Sequence, residues 1–289
     1  MACPLCNEKE ARPSWLGSTV YDGREFPYVE CLACRSLYCD PMPDDATLAR
    51  MYGTDYATGC EADPVVEDPK EPRRVVDRLA SLPPGVFLDY GCGGGALLEE
   101  AARLRWRAVG VELDAEVARQ VSERTGLEVL TASAALDRDP IADVLHLGDV
   151  IEHLTKAESQ MPEILRLLKP GGLLIAQGPL EGNANLFTLA LRLARTLRRR
   201  RGAPSTEMAP YHVMLATAGG QRTFFRRFGL EEIEYRLSEV SWPAPDRLTR
   251  SGLRRPREVG LYTLRRLSQA ATALRPHAWG NRYFYVGRR

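Results

Sequence analysis

Residues 86–95 read Val86-Phe87-Leu88-Asp89-Tyr90-Gly91-Cys92-Gly93-Gly94-Gly95. The first five form a β-prone run of strand length, and the glycines that follow end it. An apolar helical pattern then runs from Ala96 to Leu104. Glycine lets the backbone turn tightly and approach a bound group, and the helix N-terminus behind it offers unpaired N–H groups. A second strand, Ala108-Val109-Gly110-Val111, ends at Glu112, and Asp114 opens a helix that reaches Thr125. Glu112 lies 21 residues after Gly91. At that distance its carboxylate can accept hydrogen bonds from both hydroxyls of a ribose.

The alternation continues downstream. Strand Ala142–Leu147 leads into Gly148-Asp149-Val150-Ile151-Glu152-His153-Leu154. A helix over Gln160–Leu168 is expected to stop at Lys169-Pro170-Gly171-Gly172, with a strand Leu173–Gln177 beyond it. Gly91-x-Gly93-x-x-Ala96 with Glu112 also satisfies the dinucleotide fingerprint, so a nicotinamide-dependent oxidoreductase is one reading. Asp89 argues against it. A pyrophosphate would meet that carboxylate, whereas the cationic methionine end of S-adenosylmethionine would be attracted to it.

The segments LDYGCGGG, VGVELD, LGDVIEHL and LLKPGGLLIA resemble the successive motifs of class I S-adenosylmethionine-dependent methyltransferases. The likeness covers about residues 75–180. It implies an α/β fold with a Rossmann-like seven-stranded sheet whose last strand is antiparallel. It implies that Gly91, Cys92 and Gly93 pass under the cofactor and that Asp89 lies near its amino group. Glu112 would hold the ribose and Leu113 would pack on the adenine. Ala132 and Ser133 fall at the adenine edge, without the acidic residue usual there. Gly148 and Asp149 would line the methionine side. Met51-Tyr52-Gly53-Thr54-Asp55-Tyr56 is similar to the corresponding stretch of methyltransferases with an N-terminal zinc ribbon, where such tyrosines cover the methionine end. Many of those enzymes modify sugars or other small metabolites.

Cys3-x-x-Cys6 and Cys31-x-x-Cys34 form two knuckles. Together they supply the four thiolates that structural Zn²⁺ prefers, with no open position for catalysis. Tyr21-Asp22-Gly23-Arg24, between the knuckles, reads as a hairpin turn, so residues 1–45 form a zinc ribbon. No thioredoxin-like βαβ pattern surrounds either pair. Cys39 is a substitute ligand if the register differs. Residues 46–74 then form a linker and cofactor-covering segment. The methyltransferase domain occupies 75–289, with helical insertions at about 181–210 and 238–281 that read as a lid or acceptor-binding element.

Residues 181–289 hold 21 arginines, no lysine and 8 acids, a balance of +13, within a chain whose net charge is +1. That imbalance suggests an anionic partner, such as a phosphorylated substrate, a nucleic acid or a membrane surface, or else a base-composition effect, since every one of these basic residues is Arg. Residues 185–201 read as a basic amphipathic helix. Leu186, Leu189, Leu193 and Leu197 line one side and Arg192, Arg195 and Arg198–Arg201 the other. The ordinary expectation is that its leucines cap the chain's own domain, with peripheral membrane contact as the alternative. His153, after the fourth strand, and His212, in the segment that usually faces the acceptor, are candidate general bases. His146 falls in a core strand and reads as structural. The N-terminus lacks a basic region followed by an apolar run, and the chain lacks a long uncharged apolar stretch, so a cytoplasmic protein without a transmembrane segment is expected. The expected activity is methyl transfer to the hydroxyl of a sugar, nucleotide-sugar or secondary metabolite. RNA methylation is the rival, weakened by a ribbon that has few basic residues.

Overall fold

The computed structural model describes residues 1–51, 70–200, 206–239, 247–249 and 252–289. These divide into two compact units. One comprises Met1–Asp44, Pro179–Thr223 and Arg236–Tyr283; the other comprises Asp45–Gly178, Phe224–Tyr235 and Phe284–Arg289.

The first unit is built on a five-stranded sheet. Strands β1 (Ala11–Tyr21) and β2 (Arg24–Cys31) form the expected hairpin. Its two turn residues, Asp22 and Gly23, have φ of 51° and 69°, the left-handed pair that matches strand twist. β3 (Leu37–Cys39) pairs with β2, and two short later strands, β9 (Thr206–Glu207) and β10 (Met214–Leu215), close the edges in the order β10-β3-β2-β1-β9. Residues 206–207 and 214–215, far along the chain, therefore complete the edges of the sheet of the cysteine module. Buried Asn183 ties the later segments together. Its Nδ2 donates to the Gly280 carbonyl at 2.7 Å and its Oδ1 accepts from the Ala218 N–H at 3.0 Å.

The larger sheet comprises β4 (Val86–Tyr90), β5 (Arg107–Glu112), β6 (Glu128–Thr131), β7 (Ala142–Gly148), β8 (Leu168–Pro179), β11 (Glu231–Ser238) and β12 (Arg282–Arg288). Its order is β11-β12-β8-β7-β4-β5-β6. The β4–β5, β5–β6, β4–β7 and β7–β8 pairs are parallel. β12 runs against β8, because Gly171 bonds the last residue, Arg289, while Leu180 bonds Asn281. This is the expected seven-stranded sheet with an antiparallel last strand.

Among the described residues ten α-helices accompany the strands: α1 (Asp45–Met51), α2 (Lys70–Ala80), α3 (Ala96–Arg103), α4 (Ala115–Thr125), α5 (Ala132–Leu136), α6 (Ala157–Arg166), α7 (Leu186–Arg200), α8 (Ala218–Arg227), α9 (Pro256–Leu274) and α10 (Pro276–Trp279). The core of the second unit includes Val75 and Leu79 from α2, Leu98 and Ala101 from α3, and Phe87, Ala108, Val144, Ile175, Phe284 and Val286 from the sheet. Fully burying one of the Val, Leu, Ile or Phe side chains contributes about 1.5–3 kcal/mol.

Three expectations change. α6 starts at Ala157, not Gln160, and ends at Arg166, keeping Pro162 inside its first turns. β8 starts at Leu168 and not at Leu173. Ala142 pairs with Leu168 and Val144 with Leu173, so Lys169–Gly172 are a bulge within the strand, with Gly171 at φ 77°. Finally, the leucine stripe of α7 does not face inward: Leu189, Leu193 and Leu197 are exposed. Two of its arginines face β1, with the Arg192 guanidinium 5.2 Å from the Trp15 ring centre and Arg195 bonded to the Leu16 carbonyl.

Candidate functional site: a glycine loop at the sheet's switch point

Chain progression across the larger sheet reverses between β4 and β7, and ligands of open α/β sheets bind at the carboxyl ends beside such a switch. The predicted residues Asp89, Gly91, Cys92, Gly93, Glu112, Leu113, Gly148 and Asp149 all lie at or just beyond the ends of β4, β5 and β7. The loop after β4 is pinned beneath β5, because Gly91 and Cys92 both donate to the Val111 carbonyl at 2.8 and 3.0 Å. Gly91, Gly93 and Gly95 have φ of 80°, 49° and 75°, a conformation that side-chain-bearing residues rarely adopt.

Glu112 joins the two sides of this loop. One carboxylate oxygen accepts from the Gly93 N–H at 2.9 Å and the other from the Leu113 N–H at 2.7 Å. Its head is thereby fixed over the glycine turn with lone pairs to spare for hydroxyl donors. Leu113 is 67% exposed, unusual for a leucine and suited to stacking on a flat base. Asp114 caps α4 by accepting from the Glu116 and Val117 N–H groups. Ala132 and Ser133 occupy the first turn of α5, and Ser133 lies 3.2 Å from the capping hydroxyl of Thr131. Asp149 is exposed, at φ 51°, and its N–H donates to the Gln177 carbonyl at 3.0 Å.

Asp89 has a partner that spacing alone did not reveal. It pairs in register with His146, and its carboxylate lies 2.6 Å from Nδ1 of that histidine, both side chains being buried. Gly148 makes room for the imidazole, since a Cβ there would stand 2.7 Å from His146 Cε1. Among the described residues, His146 Nε2 and Gln177 Oε1 are buried without a hydrogen-bond partner. Such groups carry a desolvation cost of about 1–3 kcal/mol each. Burial, with the Asp89 and Glu112 carboxylates nearby, pushes the Cys92 thiol up to about 12. Cys92 is therefore a neutral wall of the loop.

The two candidate bases lie in different units. His153 ends a 3-10 turn, Ile151–His153, and is half-buried. His212 has its Nδ1 2.7 Å from a carboxylate oxygen of Glu181, and its carbonyl accepts from the Tyr28 hydroxyl at 2.9 Å. A carboxylate on Nδ1 selects the tautomer in which Nε2 is the basic nitrogen. Tyr52 and Tyr56 lie outside the described residues, as does Cys60.

In the first unit the sulfurs of Cys3, Cys6, Cys31 and Cys34 converge, all within 4.8 Å of one another. Cys3 and Cys34 are 3.7 Å apart, and Cys6 and Cys31 3.5 Å. Four ligands at a zinc–sulfur distance of about 2.3 Å in a tetrahedron stand about 3.8 Å apart, so the donor set fits the ion. Cys3, bonded to Cys34 and buried, is pushed up, while Cys34, accepting from Cys3, is lowered to about 5. The buried Cys39 is outside the cluster. The second knuckle is buttressed from far along the chain. Thr217 Oγ1 donates to the Cys34 carbonyl at 2.7 Å, and the Thr217 N–H donates to Ser36 Oγ at 3.0 Å. A Cβ at Gly220 would collide with Ser36 Oγ.

The sequence profile of a methyltransferase domain matches residues 67–234, more than half of the chain. The chain belongs to this methyltransferase family. The family match replaces the nicotinamide oxidoreductase reading. Ubiquinone biosynthesis O-methyltransferase of Ruegeria pomeroyi is 35% identical over 120 residues, which is 39% of this chain and 48% of that protein. The protein of the same name from Brucella ovis is 36% identical over 95 residues, 30% of this chain and 38% of that one. The chain thus spans about half the length, or less, of the curated relatives it matches. Two solved structures share the fold. The 1,6-didemethyltoxoflavin-N1-methyltransferase of Burkholderia thailandensis, with bound S-adenosylhomocysteine, superposes with a TM-score of 0.52 at 13% identity, covering 94% of this chain and 99% of its own. The [4+2]-cyclase SpnF superposes with a TM-score of 0.51 at 18% identity, covering 86% and 98%.

Proposed function

We propose that this methyltransferase-family chain binds S-adenosylmethionine on its glycine loop and methylates a hydroxyl of a small metabolite. The observation that carries the reading is the Glu112 carboxylate, clamped by the Gly93 and Leu113 N–H groups beside an exposed leucine. Glu112 holds the ribose, Leu113 stacks on the adenine, and the edge of that base lies toward Ala132 and Ser133. Gly91, Cys92 and Gly93 pass beneath, and Gly148 and Asp149 line the methionine side. The buried Asp89–His146 pair supplies negative potential there. The bound cofactor supplies a methyl group on a sulfonium, ready for in-line displacement.

The chain's remaining task is to align the acceptor and remove its proton. His212 is the preferred base because Glu181 orients it, and His153 is the second candidate. Hydroxyl methylation is supported by the relatives named as O-methyltransferases. The sugar, nucleotide-sugar and secondary-metabolite classes remain the acceptors to test, with preference for anionic ones given the arginine-rich half. Cys3, Cys6, Cys31 and Cys34 hold a structural Zn²⁺ that fixes the knuckles, consistent with a reducing cytoplasm. Among the described residues no helix is long and apolar enough to cross a membrane.

Isothermal calorimetry with S-adenosylhomocysteine tests the cofactor assignment, and an absence of binding overturns it. In a panel of hydroxylated acceptors, His212→Gln should lower turnover about 100-fold or more while leaving S-adenosylhomocysteine affinity unchanged. Unchanged turnover removes His212 as the base.

A further inference from the structure

The geometry points to a function for the inverted helix α7: we propose that it docks the chain on an anionic membrane surface, together with its neighbour α9. Leu189, Leu193 and Leu197 recur every fourth residue, a single stripe about 12 Å long at the helical rise. All three are exposed, Leu193 to 63%. Helix amphipathicity normally buries the leucines and solvates the arginines. Here Arg192 lies over Trp15 and Arg195 bonds the Leu16 carbonyl, so these two arginines meet β1 while the three leucines face out.

α9 packs against α7 within the same unit and also exposes leucines. Ser268 and Thr272 are buried, while Leu267 and Leu274 are 56% and 83% exposed. Leu253, just before α9, is also exposed. Leucines turned outward on two adjoining helices are uncommon on a monomer's surface and mark an interaction face.

Charge selects the occupant. The stretch 186–201 contains six arginines and no acid. On α9, Arg257, Arg266 and Arg275 are exposed near the leucines, Arg275 following the last helical residue. A nucleic acid would engage the arginines but leave the leucines in water. An anionic bilayer satisfies both, since leucines enter the acyl boundary while guanidinium groups stay at the headgroups. Each basic residue near such a surface strengthens attachment about fivefold.

The test is flotation of the full chain with phosphatidylcholine vesicles, with and without phosphatidylglycerol. The wild type should float with the anionic vesicles, less so as salt rises. A variant carrying Leu189→Asn, Leu193→Asn and Leu197→Asn should partition at least about tenfold more weakly, by loss of apolar transfer. Its circular dichroism and S-adenosylhomocysteine affinity should match the wild type, because exposed positions are changed. No flotation at low salt, or equal flotation of a folded variant, overturns the proposal. So does a wild-type dimer in sedimentation that the variant abolishes without vesicle binding, which would make the stripe an interface between copies. The assay contains no cofactor, so its failure leaves the methyl-transfer reading standing.

Discussion

Replacing Glu112 by glutamine tests the arrangement at its most connected point. The carboxylate accepts from the Gly93 N–H through one oxygen and from the Leu113 N–H through the other. A glutamine keeps one acceptor oxygen and turns an NH2 group toward the remaining N–H, so one charge-assisted bond becomes a contact between donors. Such bonds contribute about 1.5–3 kcal/mol when shielded. The Gly93 N–H is partly wet, so water replaces much of the loss in the free protein. The melting temperature should fall by only about 2–4 °C, corresponding to ~1 kcal/mol. The bound state is more exacting, because two ribose hydroxyls would share the same head. Loss of the bidentate acceptor there should weaken S-adenosylhomocysteine about 10- to 150-fold. Calorimetry gives the affinity and scanning fluorimetry gives the melt. A Glu112→Gln protein that folds normally and binds within threefold of the wild type would show that Glu112 does not hold the ribose.

Gly91→Ala places a Cβ at φ 80° and 2.8 Å from Val150 Cγ2, so stability should drop by about 1–3 kcal/mol in chemical denaturation; an unchanged midpoint would contradict the loop's conformation. Cys31→Ser should abolish stoichiometric zinc in elemental analysis and lower the melting temperature, and a chelator should do the same to the wild type; retention of one zinc per chain counts against the four-thiolate site. Cys92, raised to about 12, should resist alkylation in the folded protein at pH 8, as peptide mapping would show. Its folded value exceeds the ordinary 9.0, so the stability it contributes is intact below pH 9 and is lost as pH rises through about 12.

Much of the proposed site is legible in the sequence because its parts are local. Strand, glycine turn, helix start and the proposed ribose acid lie within 27 residues, Val86–Glu112, and covalent spacing together with the φ demands of glycine fixes their relation. The two cysteine knuckles and the hairpin between them are local for the same reason, and the alternation of periods gave the α/β sheet. Register and side selection were not legible. His146 stood 57 residues from Asp89 in an apolar run, and only the β4–β7 pairing sets it against that carboxylate. The bracing of Cys34 and Ser36 by Thr217 joins segments about 180 residues apart. In α7 the sequence determined that an apolar stripe and a cationic side exist, since both follow from the helical period. Which side meets β1 was a tertiary decision. Trp15 and the Leu16 carbonyl offer Arg192 a ring face and Arg195 an acceptor, and with these two held there the leucines are left to the surface.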